Sequence, residues 1–116
     1  MLLRQSERPS GPLTVRVSND GNRTTISLAG ELDLATVDFL KRQLEPALAD
    51  ASWRLVVIDM EALEFIDSSG IAVLVQALER DSGSGRLRIV PSRALGVRKV
   101  LDLTGLSQRL QTLAAA

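Results

Sequence analysis

The segment WRLVVIDM, at positions 53–60, is the feature that most restricts the fold of this 116-residue chain. Its nearly continuous apolar side chains are typical of a strand that is covered on both faces. Apolar residues recur at helical spacing before it, in DLATVDFLKRQLEPALAD, and after it, from about position 69 to position 80. Strands that alternate with helices pair in parallel through right-handed crossovers, so we predict an α/β fold.

The first half of the chain predicts a hairpin and one helix. LTVRVS, at positions 13–18, alternates between apolar and polar residues, as a half-buried strand does. Asp20-Gly21 is a hairpin turn signal, and RTTISLAG, at 23–30, is predicted as the second strand of the hairpin. The helix that follows has Thr36 or Asp33 as its predicted N-cap. Pro46 lacks an N–H and clashes with the preceding turn, so we expect a kink or an early end there. The buried face of this helix is predicted to comprise Val37, Leu40, Leu44 and Leu48.

The second half predicts two more helices around a strand. DSGSG, at positions 81–85, is predicted as a turn. The alternative, a phosphate-binding loop, has little support because a GxG run alone is a weak signal. RLRIV, at 86–90, is predicted as a strand. A helix that is capped by Ser92 and closed by Gly105 is predicted to follow it. LSQRLQTL, at 106–113, is predicted as a short edge strand. The helix before the turn is expected to bury Ile71, Leu74, Val75 and Leu78.

The order β-β-α-β-α-β-α predicts one domain at positions 13–113, with tails at 1–12 and 114–116. The domain is expected to contain a mixed, mostly parallel sheet of four to five strands and about three helices. The apolar start of the chain is too short for a signal peptide, and no run approaches the roughly 20 apolar residues of a membrane span. We therefore expect a cytoplasmic protein.

Composition excludes several functional classes. The chain has no cysteine, and so no disulfide, thiolate metal site or cysteine nucleophile, and no histidine, the usual general base. A formal net charge of zero predicts neither direct binding of nucleic acid nor binding to a membrane. The aromatic residues are too few for base stacking. They are Phe39, Trp53 and Phe65.

Polar residues follow the second and third strands, where each strand ends. GELDLAT, at positions 30–36, leaves the second strand, and EFIDSSG, at 64–70, leaves the third. In an α/β sheet, functional groups gather beyond the carboxyl ends of the parallel strands. If these two strands are neighbours, Asp33 lies near Asp67, Ser68 and Ser69.

Three interpretations of these residues follow from their chemistry. A serine nucleophile would need Lys41 or Lys99 as its base, and the G-x-S-x-G motif is absent. A magnesium site on Asp33, Asp67 and Glu64 would be an incomplete cage. As purely local structure, Ser68 would cap the helix, Asp67 would favour the positive end of its dipole and Gly70 would allow close packing. That last interpretation leaves two adjacent hydroxyls unexplained.

Three segments in order, GELDLAT, LVVIDMEALEFIDSSGIAVLVQAL and LRIVPSRALGVRKVLDLTGL, resemble signatures of the STAS domain. Within that family the chain is most similar to the bacterial anti-sigma factor antagonists, and the resemblance covers roughly residues 13–113. It implies a single STAS-like α/β domain without catalytic activity, cofactor or intrinsic metal. Many family members continue into another helix after the last strand, whereas this chain stops at QTLAAA, which puts that helix in doubt.

The resemblance also implies a function and a set of residues. An antagonist binds an anti-sigma factor that is also a serine kinase, frees a sigma factor in stress-responsive transcription, and is reactivated by a phosphatase. Ser68 is the expected phosphorylated residue, with Ser69 as the alternative. The expected partner-binding residues are Asp33, Leu34, Thr36, Asp67, Ser68, Ser69, Gly70 and Ile71, with Ile66 as a further apolar candidate. The alternative function is a STAS module of another complex, such as a lipid-transport ATPase or a signalling scaffold.

Overall fold

Strands and helices alternate along the described part of the chain, residues 13–81 and 84–110 of a computed structural model. The elements are β1 (Leu13–Asp20), β2 (Arg23–Leu32), α1 (Val37–Ala49), β3 (Leu55–Ile66), α2 (Ser68–Arg80), β4 (Leu87–Val90), α3 (Leu95–Leu103) and α4 (Leu106–Arg109). The tails expected at 1–12 and 114–116 lie outside the described residues. None of the described helices has the length and apolar character needed to cross a membrane.

A single mixed sheet of four strands, in the order β1-β2-β3-β4, confirms the predicted fold class. β1 and β2 are antiparallel, while β2–β3 and β3–β4 are parallel. Gly21 and Asn22 connect the hairpin, and Gly21 has a φ of 61°, which glycine adopts without steric cost. The parallel pairing of β2 with β3 determines which loops share an edge of the sheet.

The helices pack on one face of the sheet, where a single aliphatic cluster forms the core. β3 contributes Val56, Ile58 and Met60 to it, all fully buried. On the opposite face of β3, Val57 is buried, but Asp59 and Glu61 are polar and only half-buried. The prediction that this strand is covered on both faces is therefore wrong beyond Val57.

Helix α1 does not end at Pro46 but continues to Ala49. A proline deprives the carbonyl four residues earlier of its helical hydrogen bond, and here that residue is the exposed Arg42. A residue outside the helix stabilises its C-terminal end. The guanidinium of Arg86 donates to the carbonyl oxygens of Leu48 at 2.6 Å and Asp50 at 2.9 Å. The expected early end at Pro46 is wrong.

Helix α2 buries a face one position earlier than predicted. Ile71, Val75 and Leu78 are half-buried. Leu74 is fully buried as predicted, and the other buried residues of the helix are Gly70, Val73 and Ala77. The small side chains of Gly70 and Ala77 let the helix approach its neighbours closely, and they contribute little to an apolar pattern.

The last part of the described chain is helical rather than extended. Gly105, with a φ of 79°, closes α3 as predicted, but Leu106–Arg109 form α4 instead of an edge strand. Leu106 and Leu110 are both buried, and their spacing of four residues matches one helical turn. The rest of the predicted strand, residues 111–113, and any further helix lie outside the described residues.

Ser92 does not cap α3, because the helix begins at Leu95 after Ala94. The Ser92 hydroxyl is buried, donates to the Leu63 carbonyl at 2.6 Å and accepts from the Ala94 amide at 2.9 Å. It therefore fixes the approach to α3 against the sheet.

Candidate functional site

The carboxyl ends of β2 and β3 lie side by side. Leu32 and Ile66 are paired at the end of the parallel ladder, and the amide of Asp67 donates to the Leu32 carbonyl at 3.2 Å. The loop that begins at Asp33 and the start of α2 therefore share one edge of the sheet. We call Asp33, Asp67, Ser68 and Ser69 the polar rim.

Asp67, and not Ser68, is the N-cap of α2. Its Oδ1 accepts hydrogen bonds from the backbone amides of Ser69 at 2.8 Å and Gly70 at 3.2 Å. The extended backbone of Asp67 suits a cap, and its carboxylate lies at the positive end of the helix dipole. The interpretation of Ser68 as the cap is wrong, because the residue before it already fills that position.

Ser68 is the first residue of α2 and its side chain is exposed, whereas Ser69 is partly buried. Neither hydroxyl makes a hydrogen bond to any other described residue. Successive residues in a helix point about 100° apart, so the two hydroxyls face different directions. Ser68 thus presents an accessible hydroxyl at a helix N-terminus, without a partner in the part of the chain that the structure describes.

Gly70 holds the start of α2 tightly against the sheet. A Cβ atom on Gly70 would lie 2.7 Å from Cγ1 of Ile66 and 2.9 Å from Cγ of Leu32. Both contacts are shorter than a normal carbon–carbon separation of about 3.5 Å or more. A larger residue would force these core side chains to shift, so the buried Gly70 lets α2 lie close to the strand ends that carry the polar rim.

Asp33 and Thr36 lock the first loop. Oδ1 of Asp33 accepts from the amides of Ala35 at 3.0 Å and Thr36 at 3.2 Å. The hydroxyl of Thr36 donates to the Glu31 carbonyl at 2.9 Å and accepts from the Asp33 amide at 2.9 Å. Thr36 is fully buried, so it shapes the loop and has no surface to offer a partner. Asp33 remains partly exposed.

The acidic groups of the rim are not neutralised within the described part of the chain. Its one salt bridge joins Arg93 to Glu61, away from Asp33 and Asp67. No cluster of three or more acidic side chains among those residues is placed to hold a metal ion, so the set of Asp33, Asp67 and Glu64 forms no cage. The rim is an anionic surface suited to contacts with another molecule.

Sequence and structure comparisons assign the chain to a family. The family model described as "Mlab, STAS domain" matches residues 15–114. The chain belongs to the STAS domain family.

The relatives of this STAS domain include named regulators. The anti-sigma-F factor antagonist RsfB of Mycobacterium tuberculosis is 31% identical over 96 residues, which are 83% of this chain and 77% of the relative. The anti-sigma F factor antagonist of Paenibacillus polymyxa is 30% identical over 81 residues, which are 70% of this chain and 69% of the relative. The crystal structure of an anti-sigma factor antagonist from Mycobacterium paratuberculosis is similar with a TM-score of 0.79 and 27% identity, over 90% of this chain and 87% of that one.

Two exposed apolar side chains adjoin the polar rim of this STAS domain. Leu34, predicted as a contact residue, is 78% exposed in the first loop, and Phe65, which the sequence analysis did not select, is 47% exposed at the end of β3. The buried residues in this half of β3 are Met60, Leu63 and Ile66, three positions apart rather than two, so simple alternation gives no signal for Phe65. Ile66 is 4% exposed and belongs to the core, and Ile71 is half-buried against it.

Proposed function

We propose that this STAS domain is an anti-sigma factor antagonist that acts by binding rather than by catalysis. Relatives that match most of the chain bear that name. The observation that carries the proposal is the exposed hydroxyl of Ser68 at a helix N-terminus, beside the carboxylates of Asp33 and Asp67. Among the described residues, that hydroxyl has no hydrogen-bond partner and neither carboxylate forms a salt bridge. In its unmodified form the protein would bind an anti-sigma factor with kinase activity and release a sigma factor.

The docking surface consists of the polar rim together with Leu34 and Phe65. Interfaces depend on a few apolar anchors, while charged groups set orientation and association rate. Leu34 offers the larger exposed fraction, and the hydrogen bonds of Asp33 and Thr36 hold its loop in one conformation. A preorganised loop loses less conformational entropy on binding than a flexible one does.

Phosphorylation of Ser68 is the proposed switch. The Ser68 oxygen would attack the γ-phosphorus of ATP bound by the partner kinase, the bond to the departing ADP would break, and the serine proton would pass to a base of the kinase. The product carries about −1.5 to −2 charges at neutral pH. Its phosphate would be attracted by the α2 dipole and repelled by Asp67, whose Oδ1 already accepts from the amides of Ser69 and Gly70.

The added charge would oppose binding because a docked partner must desolvate it beside two carboxylates. A penalty of about 3 kcal/mol would weaken binding more than a hundredfold, which is enough for a switch. Ser69 is the weaker candidate, since its side chain is partly buried and points about 100° away around the helix.

Affinity purification from the native bacterium tests this function. With the unmodified protein as bait, we expect to recover an ATPase with serine kinase activity toward Ser68. Ser68→Asp should recover less of this partner, although one charge imitates a phosphate incompletely. Ser18→Asp, which adds the same charge at an exposed position of β1 outside the polar rim, is the matched control and should recover about as much as wild type. Recovery of a transporter ATPase instead would favour the alternative, a STAS module of a lipid-transport complex.

A further inference from the structure

A basic cavity lies at the end of the sheet opposite the polar rim. It has a volume of about 450 Å³, and its lining includes Arg23, Arg54 and Arg88. Arg23 and Leu55 are the paired first residues of β2 and β3, while the polar rim follows the last residues of the same strands. The two sites are therefore separated by the length of the parallel ladder.

Strand alternation brings Arg23 and Arg88 to the face of the sheet that the helices leave uncovered, while Arg54 lines the cavity from the residue before β3. Thr24 and Leu87 face the helices and are buried, so their neighbours Arg23 and Arg88 face the other way. Arg88 is held in place, because its Nη1 donates to the carbonyl oxygens of Gly85 at 2.7 Å and Leu87 at 2.9 Å. One guanidinium of the cavity is thus already ordered.

The described residues that line the cavity balance its positive charge only in part. Asp20 is the one acidic residue among those that line it, and it forms no salt bridge with any described residue. The side chains of Arg23 and Arg54 make no hydrogen bond with the described residues either. Outside the cavity, Arg86 binds carbonyl groups and Arg93 binds Glu61, so neither of these guanidiniums is available to it. Three guanidiniums and one carboxylate leave an excess of about two positive charges in one concave site.

We propose that this cavity binds the phosphate group of a small phosphorylated molecule. A phosphate carries nearly two negative charges at neutral pH, which matches the excess charge, and guanidinium forks bind its oxygens in pairs. The volume of the cavity falls within the range of about 300–1,000 Å³ that small-molecule sites occupy, and Leu55 supplies an apolar surface for the rest of the ligand.

The described residues of the neighbouring glycine-rich turn, Ser84 and Gly85, do not supply the phosphate contacts. The amides of Ser84 and Gly85 donate to the Asp81 carbonyl, and the Ser84 hydroxyl donates to the same residue. Those donors are occupied, so the arginine side chains carry the recognition. This explains why the site could not be found as a backbone phosphate loop in the sequence.

The test is an NMR titration of the ¹⁵N-labelled full chain with inorganic pyrophosphate, with ionic strength held constant by sodium chloride. We expect saturable shifts at the amides of Asn22, Arg23, Leu55 and Arg88. Arg54→Gln should weaken binding about fivefold, as should Arg23→Gln, which serves as an independent variant if the first does not fold. Arg42→Gln removes the same charge from an exposed position on α1 and should leave the affinity unchanged.

Three results would overturn the proposal. The first is a set of shifts that do not saturate, as diffuse ionic screening would produce. The second is a loss of affinity in Arg42→Gln equal to that in Arg54→Gln. The third is saturable binding confined to the amides of Ser68–Gly70, which would place the phosphate at the start of α2 instead.

Discussion

Replacing Gly70 by alanine tests whether the start of α2 is fixed by close contact with the sheet. The new Cβ would lie 2.7 Å from Cγ1 of Ile66, and 2.9 and 3.0 Å from Cγ and Cδ2 of Leu32. Ile66 and Leu32 are buried core residues, so neither can move aside freely. Overpacking costs about 1–3 kcal/mol, and contacts this short fall in the upper part of that range, at about 2–3 kcal/mol, whereas alanine gains about 1 kcal/mol over glycine in a helix. The net loss of stability is expected to be about 1–2 kcal/mol.

Gly96 provides a matched control for this substitution. It occupies the second position of α3, as Gly70 occupies the third position of α2, and a Cβ there meets no atom within 4 Å. Gly96→Ala should therefore be neutral or stabilising by up to about 1 kcal/mol. Both variants are compared with wild type by urea unfolding and by thermal melting, where 1 kcal/mol corresponds to about 4 °C for a chain of this size.

The expected pattern is a midpoint about 4–8 °C lower for Gly70→Ala and unchanged or higher for Gly96→Ala. Because the strain falls on the strand ends that carry the polar rim, partner binding by Gly70→Ala should weaken even at temperatures where the variant is fully folded. A Gly70→Ala protein as stable as Gly96→Ala would refute the close-contact reasoning.

Three further predictions concern the loop and the end of α1. Leu34→Ala should weaken partner binding about tenfold in a calorimetric titration without changing the melting temperature, whereas Leu103→Ala, at an equally exposed apolar position on α3, should change neither. Asp33→Asn, which keeps an acceptor for the loop amides but removes the charge, should leave the fold intact and weaken binding, and an unchanged affinity would limit Asp33 to a structural role. Arg86→Ala should lower the free energy of unfolding by about 2 kcal/mol in urea, since it removes the donors to the carbonyl oxygens at the end of α1, and a loss below about 0.5 kcal/mol would contradict that role.

The order of elements and the proximity of the two loops could be predicted because they depend on periodicity and on parallel pairing. A run such as residues 53–60 requires a buried strand, and the carboxyl ends of neighbouring parallel strands necessarily meet. Parallel pairing therefore predicts that Asp33 and Asp67 lie at one edge of the sheet, and no side-chain contact is needed for that prediction.

The predictions of the α2 cap and of its buried face were wrong because each differs from the structure by one residue. Asp67 and Ser68 are both good N-caps, so composition does not determine which of them begins the helix. The buried face of α2 contains Gly70 and Ala77, whose small side chains matter for close approach but carry little hydrophobic signal. Phe65 was missed because register shifts between β2 and β3 near their ends interrupt the simple alternation.

The measurement that tests the proposed function most directly is the affinity of the anti-sigma factor kinase for this protein before and after incubation with Mg²⁺ and ATP. Peptide fragmentation locates the phosphate on the same samples. We expect it on Ser68, with affinity reduced more than about a hundredfold, and we expect Ser69→Ala to behave like wild type. Ser68→Ala should bind and resist inactivation. Phosphate on Ser69 alone, or a Ser68→Ala protein that the kinase and ATP still inactivate, would contradict the assignment of Ser68 as the switch.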